Sequence, residues 1–117
     1  MIQITPKTPL YVHTGVVDFR KGIDGLCGVC KYQLKKDPLS GAMFAFINRS
    51  KIALKILVYD GQGFWVYHKR LSCGKFKWWP GGDDICSPII ARELYVLIWN
   101  GDPKKINMQE DWRSIDK

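Results

Sequence analysis

Apolar residues recur along the chain with two different periods, and each period predicts one kind of element. Over residues 18–34 the apolar positions are spaced by three or four, which predicts an amphipathic helix. Asp18 is a candidate N-cap for this helix because its carboxylate can accept a free backbone N–H. The predicted apolar stripe consists of Ile23, Leu26, Cys27, Cys30 and Leu34.

Residues 43–79 show the shorter alternation that is typical of half-buried strands. Asp60-Gly61 and Ser72-Cys73-Gly74 are turn signals between apolar runs. Because loops this short join only antiparallel strands, the segment predicts a four- to five-stranded antiparallel meander. The predicted strands cover residues 43–48, 52–59, 64–71 and 75–79, with a further short strand over residues 10–14.

A second helix is predicted after the break at residues 80–84. Ser87 would cap it, Pro88 would take its first position, and Asn100-Gly101 would end it. The fold class is therefore α+β, with one helix before the sheet, one after it, and both packed on one face.

Length and composition fit this organisation. A chain of 117 residues with 46% hydrophobic and 25% charged residues suits a single domain. We expect residues 1–101 to form that domain and residues 102–117 to form a polar tail with Trp112 as its candidate anchor. No signal-peptide pattern opens the chain, and no apolar run approaches the roughly 18 residues of a membrane helix. A cytoplasmic protein with reduced thiols and no membrane contact is expected.

Charge changes the picture more than composition does. The net charge is +7, and residues 20–77 carry twelve Lys or Arg against three acidic residues. A positive field in the centre of a domain favours polyanionic partners, nucleic acid first. A merely solubilising surface charge is the other interpretation.

The sequence contains little that indicates a metal site or a catalytic site. Cys27-x-x-Cys30 is a single half-site inside an apolar stripe, whereas structural zinc sites usually show two close ligand pairs. No nucleophile motif or phosphate-binding loop occurs, and the central carboxylates Asp24, Asp37 and Asp60 are scattered. We expect no metal, no cofactor, no small-molecule substrate and no catalytic residue.

Two basic clusters are better candidates for a site. Arg20 and Lys21 lie at the predicted helix start, where they either point into solvent or join the helix terminus in binding an anion. Alternation in Lys75-Phe76-Lys77-Trp78 sends the lysines to the surface and the rings to the core. Trp79 breaks this alternation, so it either stacks on a base or packs beneath the loop at Pro80.

Four stretches in a fixed order resemble one known family. They are TGVVDFRKGIDGL, DPLSGAMFAF, KILVYDGQGFWVYHKRL and GKFKWWP. The series is similar to the TnpB accessory proteins of insertion sequence family sixty-six, which are encoded beside a transposase, and it covers about residues 10–80. The matching motif positions are Asp18, Arg20, Lys21, Gly22, Asp24, Gly25, Asp60, Gly61, Lys69, Arg70, Gly74, Phe76, Trp78 and Pro80.

The resemblance implies a bacterial mobile-element protein that supports transposition without catalysing it. DNA is the expected partner, with weak sequence preference because no recognition helix is evident. The predicted DNA contacts are Arg20, Lys21, Arg49, Lys51, Lys69, Arg70, Lys75, Lys77 and Trp79. Two alternatives stay open: a module that docks the transposase or another accessory subunit without DNA, and a small metal-dependent nuclease-like enzyme using Asp24.

Overall fold

A computed structural model describes residues 5 and 7–101, which fold into a five-stranded sheet with a helix on each side. The sheet order is β4-β3-β2-β1-β5. The strands are β1 (Leu10–Val16), β2 (Met43–Ile47), β3 (Ala53–Tyr59), β4 (Phe64–Arg70) and β5 (Cys86–Ile89). The helices are α1 (Gly22–Tyr32) and α2 (Ala91–Ile98), and a 3₁₀ turn (Phe19–Lys21) precedes α1.

The α+β class is confirmed, and one strand pair departs from the predicted meander. β2, β3 and β4 are antiparallel neighbours, whereas β1 and β2 are parallel. The reason is the connection, since α1 carries the chain back along the sheet between β1 and β2. The sheet is therefore mixed but mostly antiparallel.

The prediction that both helices share one face of the sheet is wrong. Leu26 and Cys30 of α1 pack with Phe44 and Phe46, while Leu94 of α2 packs on the other face. Successive strand residues point to opposite faces, so β2 is buried on both sides. The face covered by α2 comprises Leu10, Val12, Met43, Ala45, Ile47, Leu54, Ile56 and Val58.

The last strand and the start of the second helix also differ from the prediction. Residues 75–79 form no strand, and the fifth strand is instead β5, antiparallel to β1. Pro88 thus lies in an edge strand, where its missing N–H is tolerated, and not in a helix. α2 begins at Ala91, after Ile90 donates its N–H to Glu93 Oε1 at 3.1 Å.

The predicted tail over residues 102–117, with its anchor Trp112, lies outside the described residues. Within residues 5 and 7–101, no helix is long and apolar enough to cross a membrane.

Candidate nucleic-acid interface

Exposed cations gather at one end of the sheet. Arg49 and Lys51 lie in the turn between β2 and β3, and Arg70 ends β4 opposite Ala53, the first residue of β3. The chain after β4 stays at this end because Phe76 donates its backbone N–H to Lys51 O at 2.8 Å. We call this set the basic rim; it consists of Lys21, Arg49, Lys51, Arg70, Lys75 and Lys77. Lys21 is included because its neighbour Arg20 lines one groove with Arg49.

The side chains of the basic rim are available for an anion. All six residues are exposed. Among the described residues, none of these six side chains takes part in an ion pair. The one ion pair in that part of the chain joins Arg20 to Asp18. A row of unpaired cations on a sheet end is the electrostatic footprint of a polyanion-binding surface.

Asn48 shapes the turn that presents Arg49 and Lys51. Its side-chain oxygen accepts the backbone N–H groups of Ile52 at 3.1 Å and Ala53 at 3.2 Å. Lys51 takes a left-handed backbone conformation with φ 62°, which closes the turn tightly. A neutral amide thus holds the turn without placing negative charge in the rim.

Two of the four motif stretches meet at Phe19: TGVVDFRKGIDGL, which we call the first motif block, and KILVYDGQGFWVYHKRL, which contains His68. The Phe19 ring lies 6.1 Å from the His68 ring, edge to face. Lys55 Nζ lies 4.9 Å from the centre of the Phe19 ring and donates to Phe19 O at 3.3 Å. The first motif block is therefore fixed on the same sheet face as His68, against the end of β4.

Arg20 is already paired. Its Nη2 donates to Asp18 Oδ2 at 2.8 Å and its Nε to Asp18 Oδ1 at 3.0 Å, a two-point contact in which the Arg20 side chain remains 90% exposed. Hydrogen bonds from the Arg20 side chain and backbone hold the pKa of Asp18 well below its usual range. The same pair raises the pKa of Arg20. Acidification to about pH 5 therefore leaves this pair intact, and the partner carboxylate offsets the charge that Arg20 could offer to a phosphate.

The predicted anion site at the start of the first helix is not formed as expected. Asp18 caps the 3₁₀ turn, accepting Arg20 N–H at 2.9 Å, and does not cap α1. Gly22 follows with φ 68°, which breaks the chain direction between the two helical segments. Gly25 is required by close approach, because a Cβ there would lie 2.3 Å from Lys21 Cβ. Asp24 stands in the first turn of α1, where negative charge suits the helix dipole.

A shallow groove joins the first motif block to the rim. It has a volume of about 490 Å³ and is lined by residues 16–20 on one side and residues 48–50 on the other. Arg20 and Arg49 both border it, so the groove is the place where the first motif block and the turn between β2 and β3 share one surface.

Lys69 and Arg70 are adjacent in sequence but serve different faces. Lys69 Nζ donates to Ile98 O at 2.6 Å and lies 5.1 Å from the centre of the Trp99 ring. It thus acts at the carboxyl end of α2, where a cation also suits the helix dipole. Of the two, Arg70 alone belongs to the rim.

The aromatic residues of the last motif stretch, GKFKWWP, pack mainly inward. Phe76 is buried, and Trp78 and Trp79 are partly buried against the core beneath α2. Trp79 Nε1 also donates to His13 O at 2.8 Å. Of the two interpretations of Trp79, the structure shows the packed one.

Most remaining motif positions shape turns. Asp60 accepts the N–H groups of Gly63 and Gln62 and that of the Trp65 indole, and these bonds lower its pKa. Gly61 (φ 98°) and Gly74 (φ 75°) take left-handed conformations that suit glycine. Pro80 is buried.

The four cysteines are not gathered into a set of metal ligands among the described residues. In the part of the chain that the structure describes, no group of three or more His, Cys, Asp or Glu side chains could hold a metal ion. Cys27, Cys30 and Cys86 lie in the core beside α1, and burial raises the pKa of Cys30 to about 12. Cys30 therefore stays a protonated thiol near neutral pH, which is the form of a structural cysteine.

Sequence reasoning missed three residues around these clusters. Lys55 stands inside a strand of buried residues, and a lone lysine in that setting was a usable signal. Asn48 precedes a basic turn, and its capping role follows from its residue type. Trp99, which is 76% exposed, gave no signal because it continues an apolar stripe in the sequence.

Comparison with known proteins agrees with the motif. The family model for IS66 Orf2-like proteins, named TnpB, matches residues 8–107. The uncharacterized protein y4hO of Sinorhizobium fredii strain NGR234 is 35% identical over 104 residues, covering 89% of this chain and 88% of that protein. The uncharacterized protein y4jC of the same strain is 36% identical over 67 residues, or 57% of each chain. No solved structure matches.

The chain belongs to the IS66 Orf2-like family. The family resemblance on motif residues is thereby confirmed, and with it a place among the accessory proteins of IS66 transposition.

Proposed function

We propose that this protein is a non-catalytic accessory component of transposition that binds duplex DNA through its basic rim. The carrying observation is the basic rim itself: six exposed cations, none of them in an ion pair among the described residues, at one end of the sheet. Family membership supplies the transposition setting.

The chemistry of the rim suits phosphates better than base edges. Its cations come from turns and strand ends, and neither helix presents a basic face for a major groove. α1 has Lys31 as its one cation and α2 has Arg92. Phosphate contacts position a protein on DNA without carrying sequence information, so weak sequence preference is expected.

The carboxylates support an accessory role more than a nuclease. Asp18 is occupied by Arg20, and Asp60 is occupied by its turn. Two-metal nucleic-acid chemistry needs carboxylates that converge on one point. No such cluster stands among the described residues.

The test compares two variants that remove the same charge at opposite ends of the sheet. Arg49→Gln/Lys51→Gln removes two rim cations, and Lys31→Gln/Lys35→Gln removes two exposed cations at the far end of α1. The pairs are matched further, because Lys51 and Lys35 both have left-handed backbones, with φ 62° and φ 57°.

For duplex DNA, the slope of log affinity against log salt is about −0.9 per phosphate contact. At about 0.1 M salt, each lost contact therefore lowers the affinity about 8-fold. We therefore expect the rim pair to lose about 60-fold in affinity for a labelled duplex, measured by fluorescence anisotropy, and the far pair to stay within about 3-fold. Equal losses in both variants would contradict the rim, because net charge alone would then explain binding.

A further inference from the structure

Beside the rim, the carboxyl end of α2 presents one large aromatic side chain. Trp99 is 76% exposed, directly after the last turn of α2. A single exposed ring is ordinary on a protein surface and does not by itself mark a site. The construction around Trp99 is what distinguishes it.

Four contacts fix the surroundings of the indole. Lys69 lies over one face of the ring while its Nζ donates to Ile98 O. The Asn100 side chain accepts Lys77 N–H at 2.7 Å and donates to Lys75 O at 3.3 Å. The end of α2, the end of β4 and residues 75–77 are thus tied together around Trp99.

The charge of this corner selects the chemistry of a ligand. Lys75 and Lys77 are exposed on either side of the buried Phe76, so both reach solvent beside the end of α2. An exposed indole with three lysines matches a nucleobase with its flanking phosphates, since base stacking and a cationic groove together bind single strands. Bases inside a duplex are already stacked on their neighbours, so only an unpaired base can offer a face to Trp99.

We propose that Trp99, with Lys69, Lys75 and Lys77, forms a stacking site for an unpaired base of single-stranded DNA. Lys69 covers one face of the ring, and the base occupies the other. Because Phe76 N–H is bonded to Lys51 O, the corner continues directly into the rim. The inference rests on the proposed DNA binding and extends it to a duplex with an adjoining single strand.

The test measures two probes separately: an oligothymidine of about 20 nucleotides, longer than one stacking site needs, and a blunt duplex of the same length. Stacking is worth about 1–3 kcal/mol per base, so Trp99→Ala should lose about 10-fold in affinity for the single strand. Its duplex affinity should stay within about 2-fold, because the rim is intact. Trp99→Phe, which keeps a ring, should recover most of the single-strand affinity.

Tyr32→Ala is the matched control. Tyr32 is 75% exposed at the carboxyl end of α1, beside Lys31, on the opposite face of the sheet. This variant should bind the single strand like wild type. A loss equal to that of Trp99→Ala would overturn the site, because any exposed ring near lysines would then suffice.

The other outcomes separate the two proposals. An unchanged single-strand affinity in Trp99→Ala overturns the stacking site, while the rim stands. Binding of the duplex without the oligothymidine also overturns the stacking site, while the rim stands. Binding of neither probe at low salt overturns both.

Discussion

The two turns that flank β3 are held by the same kind of hydrogen bonds but differ in charge. At one end the Asn48 side-chain oxygen accepts two backbone N–H groups, and at the other end the Asp60 side-chain oxygen does the same. The first turn holds Arg49 and Lys51 of the rim. The second carries no cation over residues 60–63.

The difference separates what the fold needs from what the surface does. Either an amide or a carboxylate can organise a turn by accepting backbone N–H groups. Only the amide does so without placing a negative charge among the rim cations. The identity of residue 48 is therefore expected to matter for DNA binding, and that of residue 60 for the turn alone.

The largest effect is expected when either turn loses the side chain that organises it. Asn48→Ala leaves two backbone N–H groups without their partner and should lower the free energy of unfolding by about 2 kcal/mol. Asp60→Ala should also lower it, since the same kind of bond is lost. Urea unfolding followed by circular dichroism measures both. An unchanged midpoint in Asn48→Ala would show that its hydrogen bonds do not hold the turn.

An exchange of the two residue types isolates charge from shape. Asn48→Asp keeps the acceptor but adds a carboxylate to the rim, which should cancel about one phosphate contact and weaken duplex binding about 8-fold at about 0.1 M salt. Asp60→Asn is the control, and we expect its duplex affinity to stay within about 2-fold of wild type. If the two exchanges changed the duplex affinity equally, the two ends of the sheet would be equivalent for DNA.

The smallest effect concerns the pair beside the rim. Asp18→Asn keeps an oxygen for the Arg20 backbone N–H but removes the charge that holds the guanidinium. Arg20 borders the same groove as Arg49, so its release should strengthen duplex binding about 3-fold, less than a full added contact. Anisotropy on the same duplex measures it, with Asp18→Asn/Arg20→Gln as the control that removes the gain. Weaker duplex binding in Asp18→Asn would contradict this, because it would mean that the intact Asp18–Arg20 ion pair is what holds Arg20 in position for DNA.

Sequence periodicity predicted the elements better than their arrangement. The strands over residues 43–71 and the helix over Leu26 and Cys30 follow directly from spacing. The parallel pairing of β1 was not predictable from local pattern, because it depends on where α1 returns the chain. The placement of α1 and α2 on opposite faces had a signal in β2 that the prediction did not use. Its five residues are all apolar, and an unbroken apolar run is typical of a strand covered on both faces.

For the candidate site, residue type predicted which cations are exposed, but not which of them are bound by other groups of the protein. Lys75 and Lys77 are exposed around a buried Phe76, as alternation predicts. Arg20 and Lys69 look equivalent to Arg49 in sequence, yet one is bound by Asp18 and the other by the end of α2. The partner of Arg20 lies two residues away in a turn, and the partner of Lys69 lies 29 residues away at the end of a helix. Their roles in DNA binding stay predictions.

The most direct measurement of the central claim is the salt dependence of duplex binding by wild type and the two matched pairs. Six rim contacts predict that log affinity falls with log salt at a slope near −5. The slope should flatten to about −3.5 in Arg49→Gln/Lys51→Gln and stay near −5 in Lys31→Gln/Lys35→Gln. A slope near zero in wild type, or the same slope in both pairs, would contradict binding through the basic rim.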